Sequence, residues 1–213
     1  MNRLVHAFLL MLCLMPAGLR AADALYVEGT HYERLPEPVR TADPARIEVV
    51  ELFWYGCSHC FQFEPLLAKW EPALAKDVDF HRSPAMWNKL MAVHAQAFYA
   101  AEALGVLGKL NQPLFEALNV QRKRLESEDE IAELFAANGV TDADFRKAFN
   151  SFGVQSKVKQ ADARQRSYKT TGTPEMIVNG KFRVSARLAG SPEAMLKVVD
   201  FLIAKERAGK TAG

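Results

Sequence analysis

Between Ile47 and Tyr55 the chain reads "IEVVELFWY", an almost unbroken apolar run of β-branched and aromatic residues. Both alternating faces are apolar, which predicts a strand at the centre of a sheet, covered on both sides. Gly56 then permits a tight exit, and the period changes. In "CSHCFQFEPLLAKW", Phe61, Leu66 and Trp70 recur at helical spacing, with Phe63 and Leu67 beside them. A helix is predicted, with Cys57 at its N-terminus. Pro65 falls inside the pattern and predicts a kink or an early end.

The middle of the chain is patterned almost wholly as helix. "KLMAVHAQAFYAAEAL" (Lys89–Leu104) carries an apolar stripe, and Ser127 opens "SEDEIAELFAANG" with acids in the first turn and Gly139 as a stop. Thr141 and Asp144 have capping-box spacing. Val154–Lys169 is a further helix with a polar outer face. The charged run "QRKRLESEDE", Gln121–Glu130, reads as a solvated helix junction. Strand signals resume at "PEMIVNGKFRV", where Asn179-Gly180 between apolar runs predicts a hairpin. Ser191 and Pro192 then start a last helix, as N-cap and first helical residue, and "RAGKTAG" reads as a frayed tail. The order predicts a sheet domain (23–83 and 168–207) interrupted by a helical insertion (84–167), with a flexible tail at 208–213.

The first residues differ in kind. Arg3, the apolar stretch "HAFLLMLCLMPAG" and the small residues of "RAADA" have the order of a secretory signal peptide over residues 1–22. Its apolar core is short for a membrane span. Cleavage after Ala22 removes Arg3, Arg20 and Cys13 and no acid, so the formal charge falls from +2 to zero. The product is expected to be soluble, exported and in an oxidising compartment. With 49% apolar and 24% charged residues, the composition is ordinarily globular. No basic block supports a nucleic-acid surface.

Two cysteines remain, Cys57 and Cys60. Structural zinc wants four ligands, commonly in two spaced pairs, and no second Cys or His pair follows. Covalent haem needs a histidine directly after the second cysteine, where this chain has Phe61. A structural disulfide over so short a loop constrains the unfolded chain little. A redox-active dithiol is the reading that uses the spacing. It needs a lowered thiol pKa, because the thiolate is nucleophile and leaving group. A helix N-terminus at Cys57 favours an anion, and His59 can add positive charge or a hydrogen bond.

Glu51 stands in the middle of the apolar strand. It is either an edge residue reaching water or a buried proton acceptor with a raised pKa. Pro174 starts a strand that otherwise reads as interior, so either an ordinary trans proline sits there or a cis peptide follows Thr173. His31, His81 and His94 are scattered and read as surface or packing residues. Trp54 and Phe61 are candidate aromatics for a peptide groove.

Together, "ELFWYGCSHCFQFE", "TGTPEMIVNGKF", "ALYVEGTHY", "PLFEAL" and "FNSF" resemble the DsbA family of periplasmic thiol:disulfide oxidoreductases, within the thioredoxin superfamily. The resemblance covers nearly the whole mature chain. It implies an α/β class, the thioredoxin fold with an inserted all-helical domain. It implies that Cys57 is the exposed nucleophile and Cys60 its buried partner. It implies that Thr173 and Pro174 form a cis-proline loop binding client backbone, that Glu51 is the family's buried acid, and that Glu64 is a second acid nearby. The lysine that often accompanies the family's buried acid has no match here, and "FHRSP" offers only Arg82 in its place. The Ser-His dipeptide between the cysteines, and Thr173 before the proline, depart from the best-known member. The resemblance further implies newly exported proteins as clients, a quinone-linked inner-membrane oxidase of the DsbB type as reoxidant, a monomer, and no cofactor or metal.

The rival readings are a disulfide isomerase or reductase on the same fold, and a peptide-binding chaperone whose dithiol is incidental. Only about 25 residues lie between the cleavage site and the first core strand, which leaves no room for the dimerisation domain of an isomerase.

Overall fold

The structure, a computed structural model, describes residues 25–211. The signal peptide read at residues 1–22, Cys13 included, lies outside the described residues.

In chain order the elements are β1 (Glu33–Arg34), β2 (Ile47–Phe53), α1 (Ser58–Trp70) and β3 (Val78–Pro84). Helices α2 (Lys89–Ala103), α3 (Leu107–Asn119), α4 (Glu128–Ala137), α5 (Asp142–Phe149) and α6 (Phe152–Tyr168) follow. The chain then returns as β4 (Glu175–Val178), β5 (Phe182–Ser185), α7 (Ala186–Ala189) and α8 (Pro192–Thr211). All of β2 is buried, as two apolar faces require. It pairs in parallel with β3 and antiparallel with β4, within the order β1-β5-β4-β2-β3.

The β4–β5 hairpin turns at Asn179-Gly180, both with positive φ (52° and 61°). Val39 N donates to Gly180 O at 2.8 Å, so the N-terminal segment packs directly on the turn. A Cβ on Gly180 would stand 1.9 Å from Val39 O, so only glycine fits.

On one sheet face Val49, Met176, Val178 and Val184 pack against Phe63 and Leu67 of α1 and against Met195, Val199 and Leu202 of α8. On the other face Val50, Leu52 and Ile177 meet Leu35 and Tyr168, at the end of α6. Helices α2–α6 build their own core around Phe98, Leu110, Phe115, Phe135 and Phe145. Each such large side chain, fully buried, contributes about 1.5–3 kcal/mol. That cluster extends to Phe53, Tyr55 and Cys60, so the end of β2 and the start of α1 lie where the two cores meet.

Several boundaries differ from the pattern reading. Helix α1 continues past Pro65 to Trp70, so it has no early end there. The proline removes the donor to the Phe61 carbonyl, but Phe63 and Leu67 on either side are fully buried and hold the helix to the sheet. Helix α6 starts at Phe152, earlier than its apolar pattern suggests, because Ser151 caps it through Val154 N (3.2 Å). Helix α8 continues to Thr211 where a frayed end was expected from Arg207. Arg207 holds Asp77 through two bonds of 2.6 and 2.8 Å, and Lys210 Nζ donates to the Pro44 and Arg46 carbonyls at 2.7 Å each. Ser191 caps α8 as expected, accepting from Ala194 N at 3.0 Å. Among the described residues, no helix is long and apolar enough to cross a membrane.

Candidate active site

Cys57 is the N-cap of α1, in extended conformation (φ −87°, ψ 113°). Its Sγ accepts from Cys60 N at 3.4 Å, one of the helix-start N–H groups that lack an intrahelical partner. Both thiols are free in this structure. Cys57 is partly exposed and Cys60 fully buried.

The two thiols are driven apart in acidity. Cys57 is lowered from 9.0 to about 5, first by the hydrogen bond from the Cys60 side chain, against a desolvation cost. The Thr173 side chain and the backbone N–H groups of Cys60 and His59 add to the lowering. Cys60 is pushed well above the usual thiol value by burial, and further by Cys57 and Glu51. His59 therefore reaches the sulfur through its backbone N–H, while its ring lines an exposed cleft.

The Thr173–Pro174 peptide is cis, and the Thr173 carbonyl oxygen lies 3.3 Å from Cys57 Sγ. Register places this loop there: Glu175, next to Pro174, pairs with Leu52 of β2, five residues before Cys57. Two distant segments thus meet at one sulfur.

Glu51 is fully buried, which overturns the edge reading. β2 has neighbours on both sides, so water cannot reach the carboxylate along the sheet. Its partner is Arg82, directly opposite on β3, with Nε donating to Glu51 Oε2 at 3.1 Å. Glu51 Oε1 is buried without a hydrogen-bond partner. Desolvation, then Glu64, raise the Glu51 carboxyl from 4.5 to about 8, although Arg82 opposes them. Arg82 also approaches Glu64 (3.6 Å) and Glu71 (3.8 Å). Glu64, itself raised by burial, accepts from Asn111 Nδ2 at 2.7 Å. Tyr55 OH donates to Asn111 Oδ1 at 3.1 Å, and Asn119 Nδ2 donates to Tyr55 O at 2.8 Å. The insertion thereby grips the turn that carries Cys57.

The sequence reading missed Asn111 and Asn119; as polar residues on a helix they give no signal until the helix is placed against Tyr55. Of the two readings for His94, surface or packing, the structure shows packing. Trp54 Nε1 donates to His94 Nδ1 at 2.9 Å, and His94 Nε2 lies 3.1 Å from the Arg124 and Leu125 carbonyls. His94 is a buried packing residue that fixes the Trp54 ring. That ring lies over Gly56, where a Cβ would stand 2.4 Å from it. Glycine is needed at that exit for close approach. Trp54 and Phe61, the groove candidates, are half-buried, and Phe61 stacks on Phe115 with centroids 6.0 Å apart.

Comparison with known proteins bears on the family and the fold. Residues 70–195 match the family model of the DSBA-like thioredoxin domain. The thiol:disulfide interchange protein DsbA of Pseudomonas aeruginosa is 40% identical over 207 residues, covering 97% of both chains. That of Azotobacter vinelandii is 43% identical over 182 residues, 85% of both chains. Among solved structures, the P. aeruginosa DsbA crystal structure superposes with a TM-score of 0.84 at 41% identity, covering 87% of this chain and 97% of that one. The oxidoreductase DsbA of Xylella fastidiosa does so with a TM-score of 0.80 at 33% identity, covering 86% and 99%. With 40% identity across 97% of both chains and a matching family model over more than half its length, this chain belongs to the DsbA family.

Proposed function

We propose that this chain, a thiol:disulfide oxidoreductase of the DsbA family, works as a disulfide donor to newly exported proteins in the periplasm. The observation that carries the reading is the placement of Cys57 Sγ at the helix start, accepting from Cys60 N at 3.4 Å beside a fully buried Cys60, which lowers the first thiol and raises the second.

In the working form Cys57 and Cys60 are joined. A client thiolate attacks Cys57 Sγ, a mixed disulfide forms, and Cys60 leaves with the electron pair. Cys60 is buried and takes up a proton. Glu51, with a carboxyl near 8, holds one at neutral pH and lies within electrostatic reach of Cys60. The client's second thiolate then attacks its own sulfur in the mixed disulfide, and Cys57 leaves as a stabilised thiolate. The client loses two electrons, and the enzyme ends as a Cys57 thiolate and a Cys60 thiol. Because the released thiolate is the low-energy form, the balance favours reduced enzyme and oxidised client.

Thr173 and Pro174 bind the client backbone beside Cys57, and His59 flanks that segment. A quinone-linked inner-membrane oxidase of the DsbB type restores the disulfide, and the chain acts as a monomer. The signal-like order of residues 1–22 supports the periplasmic assignment.

The test is the thiolate titration of the reduced protein, followed by ultraviolet absorbance. A Cys57 pKa near 5 or below is expected. A value of about 7, as in thioredoxin, would sink the donor reading and favour a reductase or isomerase.

A further inference from the structure

A cleft of about 440 Å³ is lined by His59, Thr173, Pro174 and Glu175, and Arg183 and Arg187 also line it. Its charges are unequally spent. Arg183 is committed, with Nη2 on Glu33 at 2.5 Å and Nη1 on the Lys169 carbonyl, so it and Glu33 largely cancel. Glu175 is nearly buried; its Oε1 accepts from Thr171 N (3.4 Å) and Oγ1 (3.3 Å), and burial holds its carboxyl above the usual range. Arg187, in α7, is exposed and has no hydrogen bond or ion pair among the described residues. It follows Ser185 by two positions, and Ser185 pairs in register with Glu175, the neighbour of Pro174. An uncompensated guanidinium therefore overlooks the cis-proline loop.

We infer that Arg187 is a specificity residue, selecting clients with an acidic side chain close to the cysteine that attacks Cys57. The inference rests on the donor reading above and adds a substrate preference to it. Arg187 is a fixed positive charge lining the cleft, and the two acids that line it, Glu33 and Glu175, are respectively paired with Arg183 and buried. Such a charge raises the encounter rate and bound lifetime of an anionic segment and lowers both for a cationic one. An exposed pair of this kind is weak, and salt screens it.

The experiment follows, by stopped-flow tryptophan fluorescence, the reaction of the oxidised protein with two dithiol peptides. They differ only in carrying Asp or Lys beside the first cysteine. The ratio of their rates is compared among wild type, Arg187→Gln and Arg187→Glu. Comparing ratios cancels the peptides' own thiol acidities. The Asp-to-Lys ratio is expected to fall about two- to fivefold in Arg187→Gln, further in Arg187→Glu, with the differences fading at high salt. A ratio unchanged in both variants overturns the inference. Failure of the wild-type protein to oxidise dithiothreitol, an uncharged dithiol, would instead overturn the donor reading beneath it.

Discussion

Arg82 faces Glu51 across the parallel β2–β3 ladder, with Nε 3.1 Å from Oε2. The same guanidinium lies within 4 Å of Glu64 and Glu71, at 3.6 and 3.8 Å. Burial, and then the neighbouring Glu64, outweigh the attraction of this cation for the deepest carboxylate, and Glu51 retains its proton.

Removing that cation should therefore harm the protein most where Glu51 would be charged. Arg82→Gln is expected to cost about 1 kcal/mol more at pH 9 than at pH 6, the limit set by a carboxyl near 8 that can take up a proton instead of standing charged and unpaired. Denaturant unfolding of the oxidised protein at the two pH values checks this. Equal losses at both would mean that Arg82 acts by packing alone.

Glu51 has a folded pKa above its unfolded one, 8 against 4.5. Its stabilising contribution is complete below pH 4.5 and is lost as pH rises through about 8. Glu51→Gln removes that dependence. Relative to wild type, the variant is expected to gain stability, on the order of a few kcal/mol, as pH moves from 4.5 to 9. It should also reduce the rate of peptide oxidation at neutral pH, because Cys60 loses its proton source. A parallel pH–stability profile for the two proteins would contradict the assignment.

Cys57 runs the other way, its folded pKa lying below the unfolded value. The stabilisation it gives the reduced protein is complete above the ordinary thiol value of 9.0 and is lost as pH falls through about 5. The oxidised protein has no such group. The melting temperatures of the two forms should thus converge as pH falls from 9 to 5. Thr173→Val removes a hydroxyl that favours the thiolate. It is expected to raise the Cys57 pKa and start that convergence at higher pH, as paired thermal melts would show.

At the far end of the sheet, Gly180→Ala must place a methyl group 1.9 Å from Val39 O at a φ of 61°. A loss of about 1–3 kcal/mol is expected, with thiol acidity unchanged because the turn is remote from Cys57. A shifted thiolate titration in this variant would mean that the sheet transmits strain to the site.

What was legible in the sequence follows from how local each signal is. β2, the start of α1 and the Asn179-Gly180 hairpin were readable because their patterns lie within a dozen residues. β3 was hard to see: "VDFHRSP" is an edge strand carrying Asp79, His81 and Arg82, without the apolar alternation of its neighbour. Whether Glu51 was exposed could not be decided locally, because its partner sits 31 positions away and only the ladder brings the two together. Glu48, a second buried acid on the opposite face of β2, gave no signal for the same reason; its partner Arg164 lies 116 positions on, at 2.5 Å.

The contact between Cys57 and Thr173 spans 116 positions of chain. During synthesis the cysteine pair emerges well before the loop that covers it. Until Thr173 has arrived and docked, Cys57 lacks part of the setting that makes it acidic. A half-made chain carries a thiol of more ordinary reactivity. The acidity of Cys57 therefore belongs to the completed fold and not to the cysteine motif alone.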